Sequence, residues 1–349
     1  MRSYRIQSGA RRKAGAVATV GALVLLAVRA VPAAAYEVSA WTFGDAASLA
    51  VATDRGAINE VSVDWYASER DLSVGASGED LAFVSTAHAS GLQVLATVAD
   101  VSLRSGNFSA SISTRIWRTP TSITQHIAAL VDLCVTKGYD GIDIDWEAVR
   151  TRNKDKFSSF IGQLADAMHA HGKILSMAVA PKTEEPGDWS APRSEDYAAL
   201  GAAVDEFKVM TYDYSGSWSA PGPIAPPTWM DAVLTHAESL VPAAKIMMGV
   251  PFYGYNWRGR RTTDVASTDA QTLIATYSPT VHRDPSEEAT FTYTDTTGRF
   301  HTVFFQDRPA IAAKLQMLRD NHPAIRGIAI WVMGGEDPTF WDEIALQMH

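Results

Sequence analysis

The sequence predicts an α/β protein whose core is a (β/α)8 barrel, the TIM barrel. Eight short apolar segments rich in β-branched residues alternate with longer segments of helical periodicity, a pattern typical of parallel strands joined by helices. Two helical segments end at a glycine, which often follows the last residue of a helix. Residues 36–349, 314 in all, are enough for such a barrel. A doubly wound sheet is the alternative fold.

The interval after the seventh strand is longer than one helix requires. Its alternation of apolar and polar residues around Thr297 and Gly298 predicts a β-hairpin. We therefore expect a small α+β insertion over about 258–306, after which residues 308–322 return to the barrel as a helix. The predicted strands are 36–44, 59–67, 92–100, 139–147, 173–181, 205–214, 244–257 and 325–335.

Composition and charge exclude several classes of protein. The chain is 46% hydrophobic and has a net charge of −9, whereas a nucleic-acid-binding protein needs a basic surface. Its one cysteine, Cys134, excludes an internal disulfide and a thiolate metal cluster. No phosphate-binding loop is recognisable, so we expect no cofactor, and we expect a monomer.

The first 35 residues predict a secretory signal peptide. Arg11, Arg12 and Lys13 precede an apolar run over 14–28, and three alanines end at Ala35. The run is shorter than the roughly 20 residues that span a bilayer, although an uncleaved anchor is the alternative. We expect cleavage near Ala35, a secreted protein over 36–349, and no membrane association of the mature form.

The segment YDGIDIDWE (139–147) carries acidic residues at alternate positions of a predicted strand. Because alternate side chains share a face, Asp143, Asp145 and Glu147 point into the barrel and climb towards its C-terminal mouth, where barrel active sites lie. The fourth acid, Asp140, has the opposite parity and suits a structural or solvent-facing role.

Stacked carboxylates in a poorly hydrated channel cannot all be ionised, so repulsion and burial raise the pKa of at least one. The outermost, Glu147, can then remain protonated near neutral pH and act as a general acid. A divalent-metal site is disfavoured because hard cations bind oxygens from several segments, and we predict no metal. A purely structural carboxylate network is the other alternative.

These residues carry a resemblance to a known family. DGIDIDWE (140–147) resembles the DGxDxDxE signature of glycoside hydrolase family 18, the chitinase family, and MTYD (210–213), GVPFYGYNW (249–257) and GIAIWVMGGED (327–337) are similar to its strand 6, 7 and 8 motifs. The resemblance implies a TIM barrel and substrate-assisted retaining hydrolysis of β-linked N-acetylglucosaminides.

The resemblance also implies roles for the residues that match. Glu147 would protonate the glycosidic oxygen, Asp145 would stabilise the 2-acetamido group as it attacks, and Asp143 would support Asp145. Tyr212 would align the acetamido oxygen, and Trp331 would form an apolar floor beneath the sugar. The other expected substrate-binding residues are Asp213, Met210, Trp41, Tyr255 and Trp257.

The departures from the chitinase pattern concern strands 1 and 3. LATVAD (95–100) replaces the common Ser-x-Gly-Gly segment, and Ala40-Trp41 stands where Gly-Tyr is frequent. These changes resemble the branch of spore-cortex and peptidoglycan N-acetylglucosaminidases. We therefore expect a secreted glycosidase that acts on chitin or peptidoglycan; a non-catalytic, lectin-like barrel is the alternative.

Overall fold

The computed structural model describes residues 35–349. Residues 1–34 of the predicted signal peptide lie outside this range. Eight parallel strands form the core, and together with the surrounding helices they confirm the predicted barrel. The strands are β1 (Glu37–Thr42), β2 (Glu60–Ser68), β3 (Gln93–Ala99), β4 (Gly141–Asp145), β5 (Ile174–Val179), β6 (Glu206–Val209), β7 (Ile246–Pro251) and β8 (Gly327–Met333).

The sheet closes on itself through parallel pairing of its first and last strands. Ala40 of β1 lies opposite Val61 of β2 on one side and Ile330 of β8 on the other. Because closure leaves the C-terminal ends of all eight strands around one mouth, side chains distant in sequence converge there.

Helices surround the barrel, and their ends follow local sequence signals. The longest begins at Pro120 after the N-cap Thr119, whose side chain accepts the Ser122 N–H, and is followed by Gly138 with φ 77°. The α-helices are α1 (Ala46–Asp54), α2 (Leu81–Ala89), α3 (Ala110–Ile116), α4 (Pro120–Lys137), α5 (Lys154–Ala170), α6 (Ser190–Ser194), α7 (Tyr197–Ala203), α8 (Pro227–Glu238), α9 (Ser267–Tyr277), α10 (Arg308–Asn321) and α11 (Thr339–Met348).

The insertion after β7 begins earlier than the sequence predicted. Segment 253–258, which we assigned to the end of the seventh strand, instead pairs antiparallel with Arg261–Ala266 and Phe300–Phe305. β7 ends at Pro251, so the apolar run over 244–257 contains two strands of different sheets. The insertion sheet consists of Tyr253–Arg258, Arg261–Ala266, His282–Arg283, Ala289–Thr294 and Phe300–Phe305.

The two faces of the barrel sheet differ in chemistry. Outward-facing side chains pack with the helices in a large apolar core, which includes Ile142, Ile144 and the buried Cys134. The inward-facing side chains include many buried polar groups, among them Ser39, Glu60 and Lys208. Branched apolar residues usually fill a barrel interior, so the charges inside this one require a specific explanation. Within residues 35–349, no helix has both the length and the apolar character that crossing a membrane requires.

Candidate active site

The acidic residues of β4 rise through the barrel towards its mouth. Asp143 is 0% exposed and Asp145 8% exposed, whereas Glu147, two residues beyond the end of the strand, is open to solvent. On the opposite face Trp146 stacks against Phe160, with ring centroids 5.0 Å apart. The packing of this tryptophan among the helices fixes the register, and the register directs the acids inwards.

Asp143 is held by donors from three other strands. Its Oδ2 accepts hydrogen bonds from Trp41 Nε1 at 2.7 Å and from Thr97 Oγ1 at 3.1 Å. Its Oδ1 lies 3.6 Å from the ammonium of Lys208. Asp140, in contrast, accepts the Val94 N–H at 2.8 Å near the start of the strand, in line with the predicted structural role.

The pKa values of Asp145 and Glu147 are both raised. Burial is the main reason that the pKa of Asp145 lies well above its usual range, and the carboxyl groups of Glu147 and Asp64 add to the rise. Burial also raises the pKa of Glu147 to about 7, assisted by Asp100, Asp213 and Asp64. Although Glu147 faces the open mouth, the residues that surround its carboxyl group exclude much of the water that would otherwise solvate it. It can therefore hold a proton near neutral pH.

Asp100 and Asp64 also belong to the site, and our sequence interpretation did not single them out. Asp100 Oδ1 accepts the backbone N–H of Glu147 at 3.0 Å, and its Oδ2 accepts that of Ala148 at 3.1 Å. Burial raises the pKa of Asp100 and of Asp64 to about 6. Each lies in a predicted strand, and an acid within an apolar strand is the same signal that identified β4. We call Asp64, Asp100, Asp145 and Glu147 the mouth carboxylates.

Asp213 lies in a rigid cluster with two tyrosines of the insertion. The hydroxyls of Tyr253 and Tyr255 both donate to Asp213 Oδ1, the latter at 2.7 Å. Asp213 has φ 62°, a left-handed conformation that a non-glycine residue adopts at a cost in energy. Because both tyrosines belong to the insertion, the insertion helps to shape the site. Tyr253 was not among the site residues predicted from the sequence.

Tyr212 is 6% exposed, and its hydroxyl forms no hydrogen bond with any other residue in the described part of the chain. Burial and the charges of Asp145 and Asp213 raise its pKa, so the hydroxyl remains protonated. A protonated phenol without a protein partner can donate to a bound substrate.

The predicted aromatic residues occupy different depths. Trp331 is half-buried and makes edge contacts with Trp41 at 5.7 Å and with the 59%-exposed Phe43 at 6.0 Å. Trp41 is 1% exposed and is engaged with Asp143, and Trp257 is 4% exposed and donates to Gly216 O at 2.9 Å. Trp331 is therefore the most accessible of these three tryptophans, and Trp41 packs against it from within the barrel.

Met210 is half-buried and packs against the small cluster of Trp41, Ala178, Met247 and Ala329 inside the barrel. The structure gives Met210, Trp41 and Trp257 packing contacts, and their predicted contact with sugar stays a prediction.

A second charged cluster lies at the opposite end of the barrel interior. Lys208 Nζ lies 2.9 Å from Glu60 Oε1 and 3.5 Å from Glu206 Oε2, and Arg326 lies 2.7 Å from Glu37. We call these five residues the lower ion network. Carboxylate oxygens of Glu37, Glu60 and Glu206 are close enough to ligate one cation. Because a lysine and an arginine already lie among them, the network does not suit a metal ion.

A cavity of about 660 Å³ lies apart from the mouth, at the tip of the insertion sheet. Arg258, Arg260, Arg261 and Arg299 line it together with Phe300. None of the mouth carboxylates contributes to this cavity.

Comparisons with known proteins agree with the geometry of the mouth. The model of glycosyl hydrolases family 18 matches residues 55–336. A putative sporulation-specific glycosylase, YdhD of Bacillus subtilis, is 33% identical over 269 residues, which cover 75% of this chain and 63% of that protein. A cortical fragment-lytic enzyme of B. subtilis is 30% identical over 213 residues, covering 58% and 48% of the two chains. This chain thus spans about half to two thirds of the length of these two relatives.

A solved chitinase structure from Chromobacterium violaceum is similar over nearly the whole described chain. It has a TM-score of 0.82 and 31% sequence identity, and the match covers 90% of this chain and 100% of that one. The family model matches most of the chain, including Asp145 and Glu147 at the barrel mouth, and leads to one conclusion: the chain belongs to glycosyl hydrolases family 18.

Proposed function

We propose that this protein is an exported retaining glycosidase that hydrolyses β-1,4-linked N-acetylglucosamine polymers with the help of the substrate's own acetamido group. The observation that carries the proposal is Glu147, an acid at the barrel mouth with a pKa raised to about 7. Beside it, the buried Asp145 Oδ1 has no hydrogen-bond partner in the described chain. A buried polar atom without a partner is costly, and a substrate N–H would satisfy it.

The proposed reaction has two steps. In the first, Glu147 gives its proton to the glycosidic oxygen, the bond to the anomeric carbon breaks, and the 2-acetamido oxygen bonds to that carbon. Asp145 accepts a hydrogen bond from the acetamido N–H as the oxazolinium ion forms. In the second, Glu147 removes a proton from water, the water oxygen bonds to the anomeric carbon, and the oxazolinium ring opens. Two displacements retain the configuration of the sugar.

Tyr212 and Asp213 complete the proposed substrate site. Tyr212 donates its hydroxyl proton to the acetamido oxygen and so aligns it for attack. Asp213, held by hydrogen bonds from two tyrosine hydroxyls, accepts a hydrogen bond from the sugar or the acetamido group. Trp331 offers a half-buried apolar surface to the sugar ring.

Two polymers contain the linkage that this site would recognise. The names of the similar proteins include chitinases and cortical fragment-lytic enzymes, and chitin and peptidoglycan both present β-linked N-acetylglucosamine. Both polymers are too large to enter a cell, which supports the export proposed from Arg11, Arg12 and the apolar run over 14–28.

The test compares the purified protein with its Glu147→Gln variant on chitin oligosaccharides and on peptidoglycan, with products identified by mass spectrometry. We expect the parent to release products with retained configuration, and we expect the variant to lose about 10³-fold in turnover while still binding sugar. Asp132→Asn, the same acid-to-amide change at an exposed position of α4, is the control and should leave turnover unchanged.

The outcome also separates the two functions considered for this barrel. Normal turnover by the Glu147→Gln variant would contradict the proposed mechanism. Sugar binding by both proteins without any product from the parent would instead indicate a lectin-like barrel.

A further inference from the structure

Lys208 is a charged residue inside the barrel that the proposed reaction does not use. It extends inwards from β6, and it is 0% exposed. Its ammonium donates hydrogen bonds to Glu60 Oε1 at 2.9 Å and to Ser62 Oγ at 3.0 Å, and it lies 3.6 Å from Asp143 Oδ1. Lys208 thus connects the lower ion network to the base of the catalytic acidic row.

A fully buried ammonium is expensive unless it is compensated. Burial alone lowers the pKa of Lys208, but the carboxylates of Asp143, Glu60 and Glu206 outweigh burial, and the net shift is upward. The side chain is therefore a cation at neutral pH. The ammonium also lies 5.3 Å from the centre of the Trp41 ring, a cation–π contact that further favours the charge.

The neighbours of Asp143 in the barrel interior are two hydrogen-bond donors and an ammonium group. Trp41 Nε1 and the ammonium of Lys208 can only donate, and both approach its oxygens. Thr97 supplies the third donor. A proton placed on Asp143 would face these donors, whereas a proton on Asp145 would not.

Besides the lower ion network, three titratable groups lie near Asp143. Asp145 follows on the same strand, Asp64 faces Asp143 from β2, and Tyr212 lies on the segment after β6. Among the described residues, no lysine, arginine or histidine lies within ion-pair distance of Asp64 or Asp145. Lys208 is therefore the cation closest to the row.

We propose that Lys208 is a positioning residue for hydrolysis: its fixed charge beside Asp143 directs the proton shared along the row to Asp145 and Glu147. This inference rests on the proposed function. Glu60 acts in the opposite sense, because its carboxylate beside the ammonium offsets part of the positive field that reaches Asp143.

The test uses two variants that change this field in opposite directions. Lys208→Met removes the cation but retains much of its apolar volume, and Glu60→Gln removes an anion but retains its shape. For each variant, kcat/KM is measured from pH 4 to 9 on a substrate that the parent cleaves. We expect Lys208→Met to move the acidic limb of the profile to higher pH by about one unit or more, and Glu60→Gln to move it to lower pH.

A purely structural role predicts a different result. Loss of packing would lower activity in both variants without opposite shifts of the acidic limb, and that outcome would overturn the inference. If Lys208→Met does not fold, the double variant Lys208→Met/Glu60→Gln decides, because it removes one charge of each sign. Relative to Glu60→Gln alone, its acidic limb must lie at higher pH; an unchanged limb would again overturn the inference.

Failure of the inference is distinguishable from failure of the proposed function. If the parent cleaves neither chitin oligosaccharides nor peptidoglycan, the proposed function fails. If the parent is active but the limbs do not move in opposite directions, only the role of Lys208 fails.

Discussion

In the lower ion network the carboxylates lie beside cations, whereas at the mouth they lie mainly beside other carboxylates. Glu60 and Glu206 lie within 3.5 Å of Lys208, and Glu37 lies 2.7 Å from Arg326. No described residue forms an ion pair with Asp145 or Glu147. The same interior therefore uses charge in two ways: ion pairs at one end hold strands together, and carboxylates without a cationic partner at the other end retain protons that the reaction needs.

The largest effect should come from the charge of Asp145. Asp145→Asn retains the shape of the side chain but removes the negative charge that would stabilise the acetamido group in the transition state. We expect kcat/KM to fall by about 10²-fold or more. Asp140→Asn, on the same strand but near the other end of the barrel, is the control and should stay close to the parent. Equal activity of Asp145→Asn and the parent would show that charge at the mouth is not used in this way.

A smaller effect is expected from Asp100, which acts through the backbone of Glu147. Asp100→Ala leaves the N–H groups of Glu147 and Ala148 without their acceptor, so the loop that carries the acid can shift. A displacement of this kind costs about 10- to 100-fold in kcat. Asp100→Asn retains one acceptor oxygen and should restore most of the rate. If both variants lost activity equally, the charge of Asp100 would matter rather than its hydrogen bonds.

Much of this arrangement could be predicted from the sequence, since strand periodicity determines which side chains face inwards. The alternation of YDGIDIDWE indicated that Asp143, Asp145 and Glu147 share one face, and the barrel follows from eight apolar segments. The same logic applies to Asp64 in NEVSVDWYA and to Lys208 in DEFKVMTYDY, each a charge within a predicted strand. Neither residue forms a long pattern along its own strand: Asp64 is an isolated charge, and Lys208 alternates with Glu206 alone.

Contacts between strands could not be predicted in this way. The hydrogen bond from Trp41 to Asp143 joins residues 102 apart, and the tyrosines that fix Asp213 come from the insertion, 40 and 42 residues further along the chain. The start of the insertion was misplaced for a similar reason. The run over 244–257 is apolar throughout, so its division between two sheets depends on pairing partners and not on composition.

Asp64 offers a way to weaken the charge imbalance at the mouth without touching the proposed acid. When ionised, Asp64 raises the pKa of Glu147, and its own pKa of about 6 leaves it ionised at pH 7. Asp64→Asn should therefore lower the pKa of Glu147. Since Glu147 acts in its protonated form, the alkaline limb of the kcat/KM profile should move to lower pH, by less than about one unit. A shift to higher pH would mean that Asp64 does not act through its charge.

The smallest effect on turnover should come from Arg326, at the far end of the lower ion network. Its guanidinium lies 2.7 Å from Glu37 and 3.1 Å from the buried Glu206, and the arginine side chain is 28% exposed. Arg326→Gln should reduce the free energy of unfolding by about 1–2 kcal/mol, because Glu206 loses a cation while solvent screens part of the loss. The melting temperature should therefore fall by a few degrees, and kcat/KM should remain within about twofold of the parent value, since Arg326 lies at the end of the network that is remote from Asp143. Arg326→Lys, which retains the charge, should lose less stability. An unchanged melting temperature with a large loss of turnover would mean that Arg326, and not only Lys208, serves the reaction at the mouth.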